Sequence, residues 1–408
     1  MSNQSLARWV VIFLLLTTSA HAQDTARVDA LITSAMSAKN AGNFGAAIAT
    51  LETALEMAPQ NQDVLLALGR TYGAQGDLVK AQEHFQAVVQ ANPESVDAHR
   101  FLALTYLRER KAQQALHHAE TAARHGTDSW EAHHMLTEIN LAIGRFDQAV
   151  DSAKRVVALR SDFADGQRLL ATAYRGAGKL RLAVRHARRA VRLAPNLLSA
   201  HLTLAGIYHQ KQEPVKARRA LTKAEEVAGS APQAREAVAA AYTLLGQTEA
   251  ALRLYKSLVE EFPTSYTAQI AVANVYLLSQ KYDLAKQHAE KAMALEARSP
   301  EPHQILGLIA AAQEDLAGAE RSLQSAVELA PRSPELRLAL ASLLAQQQKL
   351  PAAAAEFEKV LEAAPQARGI RGPLCQIYRT LSRSADSRRV CPKACEEVGI
   401  SADDCAVE

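Results

Sequence analysis

All four cysteines, Cys375, Cys391, Cys395 and Cys405, fall within the last 34 residues of a 408-residue chain. In an oxidising compartment an even, clustered set reads as two disulfides, with three pairings possible. A metal or haem site is opposed by the spacing, since Cys391 and Cys395 do not form a C-x-x-C pair and no histidine lies nearby. Histidine recurs in one phase, as His99, His133, His201 and His303. Metal ligands must converge on one point, whereas residues in successive structural layers stay apart. These histidines therefore read as partly buried and hydrogen-bonded, and the neighbours His117 and His118 point in different directions. Gly176-Ala177-Gly178-Lys179 has the wrong spacing for a phosphate loop, and H-E-x-x-H and G-x-S-x-G do not occur. Carboxylates are scattered with no pair singled out, so the residues point away from an enzyme and imply no cofactor and no metal.

The elements that must position these side chains follow a strict beat. Ala47, Ala81, Ala115, Ala149, Ala183, Ala217, Ala251, Ala285, Ala319 and Ala353 are spaced every 34 residues. A chain copied end to end in this way stacks rather than folding about a single centre. With that alanine as position 20, position 8 is Ala or Gly in nine of ten units, Thr137 being the exception. Small residues there let two helices approach closely. Position 11 is tyrosine in six units, from Tyr72 to Tyr276, and Tyr378 extends the phase. Pro59, Pro93, Pro195, Pro263, Pro331 and Pro365 close units at position 32, and Gly76, Gly144, Gly178 and Gly246 mark position 15. Each unit reads helix, short turn, helix.

On these residues, with Phe85, Tyr255 and Phe357 at position 24, the chain resembles the tetratricopeptide repeat over ten units from Val28 to Ala367. It departs from the family in lacking the usual tryptophan near the start of the first helix, and the units ending at Thr127, Ser161, Gly229 and Ala297 lack the closing proline. The resemblance implies an all-α fold, an α/α right-handed superhelix or solenoid of about ten tandem hairpins. It also implies a concave groove lined by positions 2, 5, 9, 12 and 13. Carried over, the amino-terminal half of that groove presents Arg70, Arg100, Arg108, His134, Glu138, Arg168, Arg175 and His209. The carboxy-terminal half presents Leu244, Ile270, Asn274, Leu277, Leu278, Leu308 and Leu338. A groove charged at one end and apolar at the other suits an amphipathic helix or an extended peptide with an acidic end. Family members that clamp a terminal carboxylate pair a lysine at position 5 with an asparagine at 9. Asn274 has Ile270 at that place, so this mode is not expected.

The ends lie outside the repeat. Arg8, the apolar run Trp9–Leu16 and Ala20-His21-Ala22 predict a signal peptide over residues 1–22, cut after Ala22. The array then covers 23–367, and capping helices with the four cysteines cover 368–408. Cys375 continues position 8 of an eleventh half-repeat, and Cys391 falls on the helix that returns beside it. This phase favours pairing Cys375 with Cys391 and Cys395 with Cys405.

Formal net charge is only +3, but from Arg145 to Lys223 there are 17 basic residues against five acidic ones. Arg185 and Arg219 share position 22, and Arg155, Arg189 and Lys223 share position 26, which predicts a basic stripe on the second helices. The expectation is a non-enzymatic periplasmic scaffold for protein partners in cell-envelope assembly or export, with peripheral association to a membrane complex. The alternative is an accessory factor that binds an anionic polysaccharide through the stripe. Nucleic acid is disfavoured by the export signal.

Overall fold

The computed structural model describes residues 24–397, which places the signal segment and Cys405 outside the described residues. Every regular element among the described residues is a helix, starting with residues 24–40. Second helices begin at Phe44, Leu78, Ala112, Phe146, Leu180, Pro214, Thr248, Tyr282, Leu316, Leu350 and Ser384, a constant step of 34 residues. First helices keep the same step from Gln62 to Pro334. The chain divides into two compact units, one up to Lys223 and one from Ala224, with the division inside the helix Pro214–Ala228. Within each unit every described hairpin packs on the next, and first helices also touch from Gln62–Gln75 through Leu198–Gln210 and from Pro232–Leu244 through Pro300–Ala312.

Small side chains at two positions make this stacking possible. The ten position-20 alanines are at most 1% exposed. At position 8 a methyl group on Gly69 would sit 2.4 Å from the Phe85 ring, and one on Gly307 would sit 2.8 Å from Leu323. Thr137 fits the same site because its Oγ1 lies 2.9 Å from Ser152 Oγ, so two buried hydroxyls satisfy each other.

The turn inside each hairpin obeys a conformational rule. Position 15 has positive φ in all eleven hairpins: at Gly42, Gly76, Gly144, Gly178 and Gly246, and also at Arg110, Gln212, Gln280, Glu314, Gln348 and Ser382. The next residue's N–H donates back to the position-11 carbonyl, as Asp77 does to Tyr72 and Lys281 to Tyr276. This is the left-handed helix termination that glycine serves best, and six units make it without glycine. Other termini are set by side chains. Asn61, Ser95, Ser129, Ser265 and Ser333 accept first-turn amides, and Pro232, Pro300 and Pro334 open helices where proline's missing donor costs nothing.

The joint between repeats is a side-chain latch. Position 4 reaches back to the carbonyl that ends the preceding unit: His99 Nε2 to Pro93 O at 2.9 Å, His133 to Thr127 at 3.3 Å, Gln167 to Ser161 at 3.4 Å, His201 to Pro195 at 2.8 Å and Gln269 to Pro263 at 3.0 Å. Arg337 and Arg371 do the same to Pro331 and Pro365. The histidines expected to be partly buried and hydrogen-bonded are therefore so for His99, His133 and His201. The latch is present at two of the unit ends without proline, Thr127 and Ser161. Helices before Thr127, Ser161 and Ala297 end in phase with the others, and only the one before Gly229 runs a residue longer.

At the carboxy end a further hairpin, Arg371–Thr380 with Ser384–Glu397, continues the packing. Cys375 and Cys391 form a disulfide across its two helices, with Cα atoms 5.0 Å apart. Cys395 is also disulfide-bonded. Ile370, Leu374 and Tyr378 lie in the same apolar cluster as Phe357 and Val360, so this hairpin covers the end of the last repeat.

Candidate protein-binding groove

The groove positions of the amino-terminal unit gather into two clusters. In the first, the Phe101 ring stacks on Phe85 at 5.2 Å and carries the Arg100 guanidinium 4.6 Å and the Arg70 guanidinium 5.4 Å from its centroid. Arg100 also pairs with Asp97 at 2.7 Å, while its Nε is buried without a hydrogen-bond partner. Arg108 donates to the Gly73 carbonyl at 2.9 Å across one repeat. Two adjoining clefts share Arg70 and Phe101. One, of about 480 Å³, includes Asp29, Asp63 and Asp97. The other, of about 170 Å³, includes Lys39 and Arg108.

In the second cluster Asp165 accepts from Arg168 Nε at 2.5 Å and lies 3.0 Å from His134 Nε2. Burial alone would push the Asp165 carboxyl up, but these two donors hold it well below the usual carboxylate range. His134 also faces Glu138 at 3.6 Å. Arg175 lies against the next repeat, with Nη1 2.6 Å from where a side chain on Gly206 would begin. His209 is exposed. The half of the groove expected to be charged thus carries both signs in close pairs. Arg100 and Arg168 are each neutralised by the carboxylate three residues before them, a pairing that position-by-position reading of the groove did not weigh.

Sequence reasoning missed an aromatic cluster beside these residues. Trp130 meets Phe163 edge-on at 4.8 Å, and the Arg160 guanidinium covers both rings at 5.0 and 5.2 Å. Phe163 stands where other repeats carry a capping serine, and its ring is used for packing instead. The available signal was a pair of aromatics 33 residues apart. The same spacing recurs as Tyr266 and Ser299, whose oxygens are 2.5 Å apart.

In the carboxy-terminal unit the groove positions differ in kind. Leu244 is 81% exposed and Leu278 64%, with Leu308 and Leu338 also exposed. Ile270 and Leu277 are half-buried and Asn274 is exposed.

On the second helices Arg155, Arg185, Arg189, Arg219 and Lys223 are all exposed. Arg155 and Arg189 also reach the carbonyls of Thr127 and Ser161, at 3.4 and 3.5 Å, the unit ends without proline. Among the described residues no group of three or more His, Cys, Asp or Glu side chains is arranged to hold a metal ion.

The hairpin geometry is matched by sequence comparison. Tetratricopeptide repeat families match residues 40–105, then 102–162, 168–235 and 306–368, and finally 237–265. The chain belongs to the tetratricopeptide repeat family. Tetratricopeptide arrays offer extended surfaces for holding other proteins, and this one is a scaffold of that class. No curated relative matches it. Solved tetratricopeptide structures similar to it include yeast Tom70 (13% identity, 93% of this chain and 94% of that one, TM-score 0.49) and MamA (24% identity, 39% and 94%, TM-score 0.36). Another is YrrB, described as having an unusual peptide-binding site (16% identity, 46% and 96%, TM-score 0.39). For this tetratricopeptide chain, its own two groove surfaces carry the functional argument.

Proposed function

We propose that the chain is a non-enzymatic periplasmic scaffold that captures a segment of a partner protein on its first-helix faces, in the service of cell-envelope assembly or export. The observation that carries the reading is the exposure of Leu244 and Leu278, at 81% and 64%, on groove positions of the carboxy-terminal unit. Large apolar side chains this exposed at repeated positions suit the apolar face of a partner helix. The charged groove of the amino-terminal unit offers a separate surface for polar segments. The test is crosslinking in the native compartment with a Leu244→Ser/Leu278→Ser variant and, separately, Arg175→Glu. Each should lower recovery of the crosslinked partner at unchanged thermal stability, and undiminished recovery counts against the reading. The export step predicts a mature protein that begins at Gln23, which intact-mass measurement of the periplasmic fraction checks.

The second reading, an accessory factor for an anionic polysaccharide, is favoured by Arg185 and Arg219. Both are exposed, and neither has a carboxylate in ion-pair range among the described residues. Binding through such a stripe is screened over about 8 Å at physiological ionic strength. Affinity for an acidic polymer should therefore fall steeply with salt, and salt-independent binding removes this reading.

A further inference from the structure

The smaller cleft at Phe101 differs from the rest of the groove in how its charges are compensated. Its walls are apolar, formed by Leu78, Phe85, Phe101 and Leu104, and its floor is opened by Gly73. A methyl group on Gly73 would meet the Ala81 side chain at an ordinary contact distance of 3.7 Å, so the backbone there sits close to the second helix without a clash. Three successive repeats each bring a cation to the mouth: Lys39, Arg70 and Arg108. Arg108 is held by the Gly73 carbonyl and Arg70 rests on the Phe101 ring, but none of the three has a carboxylate within ion-pair distance among the described residues. Lys39 is half-buried, and burial together with the Arg70 charge pushes its ammonium below its ordinary value. In a chain that neutralises Arg100 and Arg168 locally, three uncompensated cations around one apolar pocket stand out.

The adjoining cleft, which shares Arg70 and Phe101, has the opposite excess. Asp29 and Asp63 line it without a cationic partner among the described residues, while Asp97 is taken by Arg100. Along the first helices the aspartates stand at position 2, Phe101 at position 6 and the cations at positions 9, 12 and 13, with Arg70 lining both clefts.

We propose that this site takes an internal segment of a partner protein in which one large apolar side chain separates basic residues from acidic ones. The apolar side chain fills the pocket of about 170 Å³, a size that suits one branched or aromatic side chain. Acidic side chains beyond it meet Lys39, Arg70 and Arg108, and a Lys or Arg before it meets Asp29 and Asp63. An internal segment fits better than a chain terminus, because three cations need more than the single charge of a terminal carboxylate. A wholly acidic segment is excluded by the aspartates next door.

The inference rests on the reading of the groove as a holder of protein segments. Its test uses the full chain and amidated, fluorescein-labelled peptides in an anisotropy titration. The probes are Lys-Lys-Ala-Phe-Glu-Glu, an isomer of the same composition with alternating charges, and the first peptide with Phe replaced by Ala. The charge-segregated peptide should bind at least about tenfold more tightly than either of the others, a difference of about 1.4 kcal/mol. Lys39→Glu and Arg70→Glu should each remove that preference, and Gly73→Leu should remove the advantage of Phe over Ala. Equal binding of the two isomers, or no binding of any probe, overturns the inference. The two readings fail separately. If Leu244→Ser/Leu278→Ser abolishes partner capture while the isomers bind alike, the scaffold stands and this site falls.

Discussion

The imidazoles of His99 and His118 meet Nδ1 to Nδ1 at 2.9 Å, joining the two helices of one hairpin. The geometry fixes their protons. His99 Nε2 faces the Pro93 carbonyl at 2.9 Å and must carry a hydrogen, so in the neutral ring Nδ1 accepts from His118. Tyr106 stacks on His118 at 5.4 Å and covers it. Burial, reinforced by the His99 and His117 charges, pulls His118 down to about 4. A second proton on His99 would set two N–H groups against each other.

This joint makes stability depend on pH. A histidine whose folded pKa is depressed binds more protons when unfolded, so stability is complete above about 6.5 and falls as pH drops towards 4. His84, His99, His133, His186 and His288 are shifted the same way by burial. Discounted for solvent screening, His118 contributes about 1–2 kcal/mol to this loss. Thermal melts should be flat from pH 7 to 8 and decline from 6.5 to 4. A His99→Gln variant, which preserves the latch chemistry seen at Gln167 and Gln269, should show a shallower decline.

Glycine should help where the intra-hairpin turn lacks it. Gln280 has φ 57° and Gln348 φ 59°, in a region that costs an L-residue about 1–2 kcal/mol. Allowing for glycine's greater freedom in the unfolded chain, Gln280→Gly should stabilise its repeat by about 0.5–1 kcal/mol. Chemical denaturation read by amide exchange in helix Tyr266–Leu278 checks the sign.

Enlarging a position-20 alanine should do the reverse. Ala149 is fully buried, and Ala149→Leu should cost about 1–3 kcal/mol through overpacking. In a quasi-linear array the damage stays near its source, so exchange protection should fall most in helices Trp130–Ala142 to Ala164–Gly176.

The terminal disulfide should act locally. Closing a separation of 16 residues stabilises by about 3 kcal/mol in the loop-entropy account. Mild reduction should expose the amides of Arg371–Glu397 and leave those of the amino-terminal unit protected. Loss of all helicity on reduction would contradict a capping role.

What the sequence made legible was whatever repeats by residue type. Alanine at position 20 and small residues at position 8 recur as the same residues, because one steric demand admits few solutions. Hydrogen-bonding demands admit many. The link from position 4 to position 23 is His99 to His118 in one repeat, Gln167 to His186 in another and Arg337 to Glu356 in a third. One geometry served by three chemistries shows in the sequence only where histidine happens to repeat, at His99, His133, His201 and His303. The groove's charge balance was hidden for a related reason. Arg100 and Arg168 stand out on a groove list, while the neutralising Asp97 and Asp165 resemble ordinary acidic residues of a first turn. The tripled cations at Lys39, Arg70 and Arg108 occupy three different repeat positions, so only their convergence in space reveals them.

Where position 4 latches onto a main-chain carbonyl, as in seven of the repeats, that contact is indifferent to which residue supplies the carbonyl. Copies made by slippage or unequal crossing-over could thus dock on arrival, before any mutation had fitted them to their new surroundings. The reach of such a molecule is then a quantity that recombination can lengthen or trim in whole modules, while the side chains on its inner face drift towards new clients.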